Sequence, residues 1–68
     1  MLSAEAGQKI RIARIKKGLT QTELAEKLNV NQSTVGCWEI GINFPKAGNL
    51  RKLAETLDLS IDDLMKVG

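Results

Sequence analysis

Apolar residues recur at three- and four-residue spacing along almost the whole chain. Ala6, Ile10 and Ala13 form one set, Leu24, Ala25 and Leu28 a second, and Val35 with Trp38 a third. Leu50, Leu53, Ala54 and Leu57 stand at i, i+3, i+4 and i+7, and Leu64 follows alone. This is the period of helices that bury one face. Polar punctuation sets their limits. Ser3 is placed to cap a first helix running to about Lys17, with Gly18 as a left-handed stop and Leu19 as the apolar contact that follows it. Thr20-Gln21-Thr22-Glu23 is a capping box, opening a second helix that Asn29 can end in the left-handed conformation. Asn31 is a favourable N-cap for a third helix, closed by Gly41. Ile42 to Lys46, with Pro45, is the irregular stretch; a fourth helix spans about 47–57, and Ser60-Ile61-Asp62-Asp63 caps a short fifth. The pattern predicts an all-α chain of five short helices.

Composition narrows this reading. Apolar residues make up 43% of the chain and aromatics 3%, from Trp38 and Phe44, so the helices must pack through Leu, Ile and Ala. With 68 residues the chain forms one domain, 1–68, too short for an enzyme cleft to fit easily. No apolar run approaches the ~18 residues of a membrane span, and residues 1–10 lack a signal-peptide core, so a cytoplasmic location is expected. The single cysteine cannot form an internal disulfide, and the absence of histidine excludes Cys/His zinc sites and imidazole base catalysis. Asp62 and Asp63 read as a helix start favoured by the helix dipole rather than a metal pair. There is no nucleophile–base pair, phosphate loop or metal cluster, so neither catalysis nor a cofactor or small-molecule substrate is expected.

The net charge of +2 conceals segregation. Lys9, Arg11, Arg14, Lys16 and Lys17 face only Glu5 in residues 1–18, and Lys46, Arg51 and Lys52 are unopposed in residues 40–54. The segments between and after them are acidic on balance. Two basic stretches thus flank the centre of the chain, as phosphate contacts on either side of a groove require, although a solvated face of mixed charge gives the same pattern.

Residues 21–40 carry the most information. Two helices of about eight residues meet there across a three- or four-residue turn, with the small Ala25 where they approach. If Leu24, Leu28, Val30, Val35 and Trp38 face inward, the third helix turns Gln32, Ser33, Gly36 and Cys37 outward. A helix fits the major groove of B-DNA, and amide or small side chains near its start can reach base edges.

The blocks Gly18-Leu19-Thr20-Gln21-x-Glu23-Leu24-Ala25, Trp38-Glu39-x-Gly41, Pro45, Leu53-Ala54-x-x-Leu57 and Leu64 resemble the lambda-repressor-like helix-turn-helix domains of phage repressors, Cro proteins and related regulators. The likeness runs from about Ile10 to Met65, and Gln32-Ser33-Thr34-Val35-Gly36 with Gly41-Ile42-Asn43 is similar to the recognition segment of lambda repressor itself. It implies a compact five-helix bundle with the helix-turn-helix in helices two and three. It implies a transcriptional regulator, expected to be a repressor, that binds a palindromic double-stranded operator as a homodimer. Gln32, Ser33 and Cys37 would contact bases, Gln32 pairing its amide with adenine and Cys37 lying near a thymine methyl. Gln21, Thr34, Asn43 and Lys46 would contact phosphates, with Gln21 also steadying Gln32. Arg14 and Glu39 match a largely internal ion pair linking the first and third helices. Apolar Leu59, Ile61, Met65 and Val67 offer a pairing surface near the C-terminus.

Two positions depart from the family pattern. Ile40 stands where a polar residue usually touches phosphate, and Gly36 lies inside the recognition helix, explained either by close approach to DNA or by crowding within the protein. Gln32 and Ser33 could also serve only as capping chemistry, and Cys37 as a half-exposed thiol without a role. A protein-interaction module on the same fold, such as an antitoxin or anti-activator, is the competing reading, since fold alone does not fix function.

Overall fold

Five helices follow one another through short connections: α1 (Leu2–Lys16), α2 (Gln21–Leu28), α3 (Gln32–Ile40), α4 (Ala47–Leu57) and α5 (Ile61–Met65). The structure, a computed structural model, describes the backbone of residues 2–65 and the side chains of residues 4–65. Four of the five helices end in one way. At Gly18, Asn29, Gly41 and Asp58 the backbone turns left-handed, with φ of 71°, 57°, 84° and 54°. The next amide then reaches back five residues: Leu19 to the Arg14 carbonyl, Val30 to Ala25, Ile42 to Cys37 and Leu59 to Ala54, all within 2.9–3.1 Å. These bonds satisfy carbonyls that a helix end would otherwise leave open, and they reverse the chain sharply.

The start of α2 is fixed as firmly. The Thr20 hydroxyl accepts from the Glu23 amide at 3.0 Å, and the Glu23 carboxylate accepts from the Thr20 amide at 2.8 Å. These bonds to Thr20 hold the Glu23 carboxyl below its ordinary range, with Lys27 adding a smaller push in the same direction. Ser60 caps α5 more loosely, accepting from the Asp63 amide at 3.4 Å.

Two expected caps differ. Ser3 lies inside α1, which already begins at Leu2, so it is not the N-cap. The first turn is anchored instead by packing, because the Ala4 backbone sits directly against Gly41. Asn31 has the extended backbone of an N-cap but no side-chain cap bond. Its own carbonyl already takes the Thr34 amide at 3.0 Å, the donor its side chain would otherwise have met.

One hydrophobic core draws on all five helices. Ile10, Leu24, Leu28, Val35, Leu53 and Leu64 are fully buried, and Trp38 is nearly so. Leu19, Val30, Phe44 and Leu59 pack at its edge. The contact that positions α3 most closely is its crossing with α1. A Cβ added at Gly7 would lie 2.2 Å from the Trp38 carbonyl oxygen and 2.6 Å from that of Glu39, so only glycine lets the two backbones meet there. Of the apolar residues expected near the C-terminus, Leu59 is half-buried, Ile61 and Met65 are exposed, and Val67 lies outside the described residues.

Candidate nucleic-acid interface

Burial of Val35 and Trp38 sets the rotation of α3. Gln32 and Ser33 are exposed at its start, Thr34, Gly36 and Cys37 are half-buried, and Ile40 is 69% exposed at its end. The outward stripe therefore runs Ser33, Gly36 with Cys37, then Ile40, at helical spacing. Gly36 is open on the protein side, since the nearest atom to an added Cβ would be the Gln21 Oε1 at 3.8 Å. Crowding within the protein does not account for this glycine.

A chain of polar contacts runs behind the stripe. Arg14, on α1, donates from Nε to Glu39 Oε2 at 2.6 Å, from Nη2 to Glu39 Oε1 at 3.2 Å, and from Nη1 to the Leu19 carbonyl at 2.7 Å. The Glu39 side chain is only 2% exposed. A carboxylate at that depth needs a paired cation and further donors. Gln21 supplies one, from Nε2 to Glu39 Oε1 at 3.0 Å, and accepts from Gln32 Nε2 at 2.5 Å. The hydrogen bond from Arg14 to Glu39 raises the guanidinium pKa further, outweighing the effect of burial, so Arg14 stays charged. Arg14, Glu39, Gln21 and Gln32 thus form one connected network across α1, α2 and α3.

Three other candidates meet elsewhere. Thr34, Asn43 and Lys46 line a surface depression of about 480 Å³ with Trp38, Phe44 and Asn49. The stop of α3 places Asn43, whose amide approaches the Cys37 carbonyl at 3.5 Å. Lys46 is exposed at the N-cap of α4, where the open amides and the helix dipole favour an anion. Sequence reasoning missed Asn49. Its signal is its place three residues after Lys46, one helical turn on and on the same side.

The first basic stretch is divided by the fold. Lys9 donates to the Asp63 carbonyl and Lys17 pairs with Asp58. Both line a groove of about 660 Å³ between α1 and the α4–α5 end, to which neither α2 nor α3 contributes. Lys16 is exposed and lines the same groove, and Arg11 is exposed on α1. Among the described residues, no group of three or more His, Cys, Asp or Glu side chains could hold a metal ion, and no helix is long and apolar enough to cross a membrane.

Residues 10–64 match the helix-turn-helix family model. The chain is 33% identical over 61 residues to the HTH-type transcriptional activator BcrR of Enterococcus faecalis, covering 90% of this chain and 30% of that protein. The restriction-modification controller protein C.AhdI of Aeromonas hydrophila is similar in structure, with a TM-score of 0.80, 36% identity and coverage of 90% and 92% of the two chains. The P22 c2 repressor protein, solved in complex with a synthetic operator, gives a TM-score of 0.85 at 31% identity, over 90% of this chain and 92% of that one. The chain spans less than half the length of the curated relatives it matches. The five helices, the capped two-helix turn and these likenesses together establish that this chain belongs to the helix-turn-helix family, in its lambda-repressor-like form.

Proposed function

We propose that this chain is a sequence-specific double-stranded DNA-binding transcriptional regulator that lays α3 in the major groove. The observation that carries the reading is the exposed pair Gln32 and Ser33 at the start of α3, with Gln32 held by Gln21 from behind. Their side chains stand free of the core on a helix whose diameter, about 10–12 Å with side chains, suits a groove about 12 Å wide. Gln32, Ser33 and Cys37 read base edges. Gln21, Thr34, Asn43 and Lys46 hold the phosphates on either side, joined by Asn49. The shared depression of Thr34, Asn43, Lys46 and Asn49 supports this division of labour. So does the likeness to a repressor solved on a synthetic operator. Ile40 offers apolar contact where relatives place a polar anchor.

The operator is a palindrome read by a homodimer. A single module of this kind buries only about 600–1,000 Å² of surface on DNA, too little for tight specific binding alone. Selection from a randomised duplex pool, followed by gel shifts, tests the proposal. Enrichment of a palindromic motif, with binding that weakens steeply as salt rises, is the expected result. A shallow salt slope with no enriched motif refutes it and favours a protein-interaction role.

A further inference from the structure

We infer that the buried ion pair of Arg14 and Glu39 acts as a positioning device for base choice, by fixing which way round the Gln32 amide faces the DNA. The inference rests on the proposal that Gln32 reads a base. It follows from donor and acceptor chemistry rather than from proximity alone. The Glu39 carboxylate, paired with Arg14 on both oxygens, can only accept hydrogen bonds. The Gln21 amide atom 3.0 Å from Glu39 Oε1 must therefore be its nitrogen. That choice turns Gln21 Oε1 toward Gln32, and an oxygen there accepts only. The Gln32 atom 2.5 Å away must in turn be its nitrogen. The second amide of the series is thereby fixed, and Gln32 presents its oxygen with one remaining N–H to the groove.

The consequence is a rule about bases. Adenine offers an N6 donor and an N7 acceptor in the major groove, which match an oxygen and an N–H side by side. Guanine offers acceptors at both O6 and N7, and would need the amide to face it with nitrogen alone. A freely turning glutamine could rearrange toward either. In this chain, turning over the Gln32 amide would set its oxygen against the Gln21 oxygen, and turning Gln21 to relieve that would set an oxygen against the Glu39 carboxylate, whose side chain is only 2% exposed. Arg14 and Glu39 need not touch DNA to exclude guanine.

The test uses the full chain and an operator enriched from a random pool. The base pair under Gln32 is the one whose preference disappears in Gln32→Ala. At that pair, competition binding compares adenine with guanine for the wild type, Glu39→Gln and Gln21→Met. The wild type is expected to favour adenine by about tenfold or more. Glu39→Gln replaces a pure acceptor with an amide that can donate or accept. Gln21→Met removes the middle of the relay and leaves the ion pair intact. Each is expected to lower the adenine preference at least about threefold, while preferences at the other base pairs of the half-site hold. That selectivity is a result that loss of stability or of a phosphate contact does not produce. Should Glu39→Gln fail to fold, Gln21→Met, which alters a half-buried surface side chain, decides the matter. An unchanged adenine preference in Gln21→Met overturns the relay and leaves DNA reading intact. A wild type that enriches no duplex overturns the DNA-binding proposal itself, and the relay with it.

Discussion

At Gln32 and Lys46 two kinds of DNA contact can be separated by substitution. Gln32→Ala removes an amide aimed at one base and is expected to weaken operator binding by about 1–3 kcal/mol while relaxing preference at a single base pair. Lys46→Ala removes a charge at the edge of the depression shared with Thr34 and Asn43. It is expected to weaken all sequences alike and to lower the salt slope by about one. Gel shifts over a salt series distinguish the two. The glycines make a second pair with opposite signs. Gly7→Ala drives a Cβ to 2.2 Å from the Trp38 carbonyl, so α1 must move off α3. The expected loss is about 1–3 kcal/mol, read as a lower Tm. Gly36→Ala meets nothing closer than 3.8 Å and improves helix propensity, so Tm should rise by the equivalent of about 0.5–1 kcal/mol. If α3 lies in the groove, the same substitution should weaken operator binding.

Among the elements, α2 depends most visibly on its ends. With only eight residues it is too short to persist by propensity, and it is held by its cap, its left-handed stop and the burial of Leu24, Ala25 and Leu28. Thr20→Ala should lower stability by about 1 kcal/mol, seen as a lower urea midpoint at unchanged slope. The pH dependence follows from Glu23, whose folded pKa lies below its unfolded value. Its contribution is therefore present above the ordinary carboxylate range and is lost as pH falls through the lowered folded pKa. The wild type should exceed Glu23→Ala in urea midpoint near neutral pH, and the gap should close in acid. A gap that holds constant down to strongly acidic pH would show that the charged cap contributes nothing. Because α2 carries Gln21 at its first position, fraying of this end also loosens the support behind Gln32.

As a whole, the molecule measures 29 × 22 × 21 Å, shorter than one turn of B-DNA at about 34 Å, so one copy can address one half-site. The homodimer proposal therefore predicts half-sites about one turn apart, centre to centre. Inserting about half a turn between them should abolish cooperative binding and leave the affinity of a single half-site unchanged, a difference that a titration of both duplexes measures. Sedimentation with and without operator shows whether pairing precedes DNA. The exposed Ile61 and Met65 on α5 offer one apolar surface for that contact, and Ile12 and Ile15 on α1 offer another.

Much of this organisation was already written in the order of residues. Helical periodicity marked five helices, and Gly18, Asn29 and Gly41 marked three of their ends, because stop residues act through their own backbone and need no distant partner. The outward face of α3 was legible for a similar reason, since burying Val35 and Trp38 leaves one rotation for the rest of a rigid rod. The Asp58 stop went unread, because aspartate tolerates the left-handed turn without announcing it as glycine does. Folding alone decided what depends on a second element: Ala4 against Gly41 rather than a Ser3 cap, the close crossing at Gly7, the diversion of Lys9 and Lys17 to α5 and α4, and Asn49 beside Lys46. It also decided the direction of the Gln21 and Gln32 amides, which only a carboxylate from elsewhere in the chain could fix. Local conformation is set by neighbours along the chain, whereas contact and hydrogen-bond direction require partners that only packing brings together.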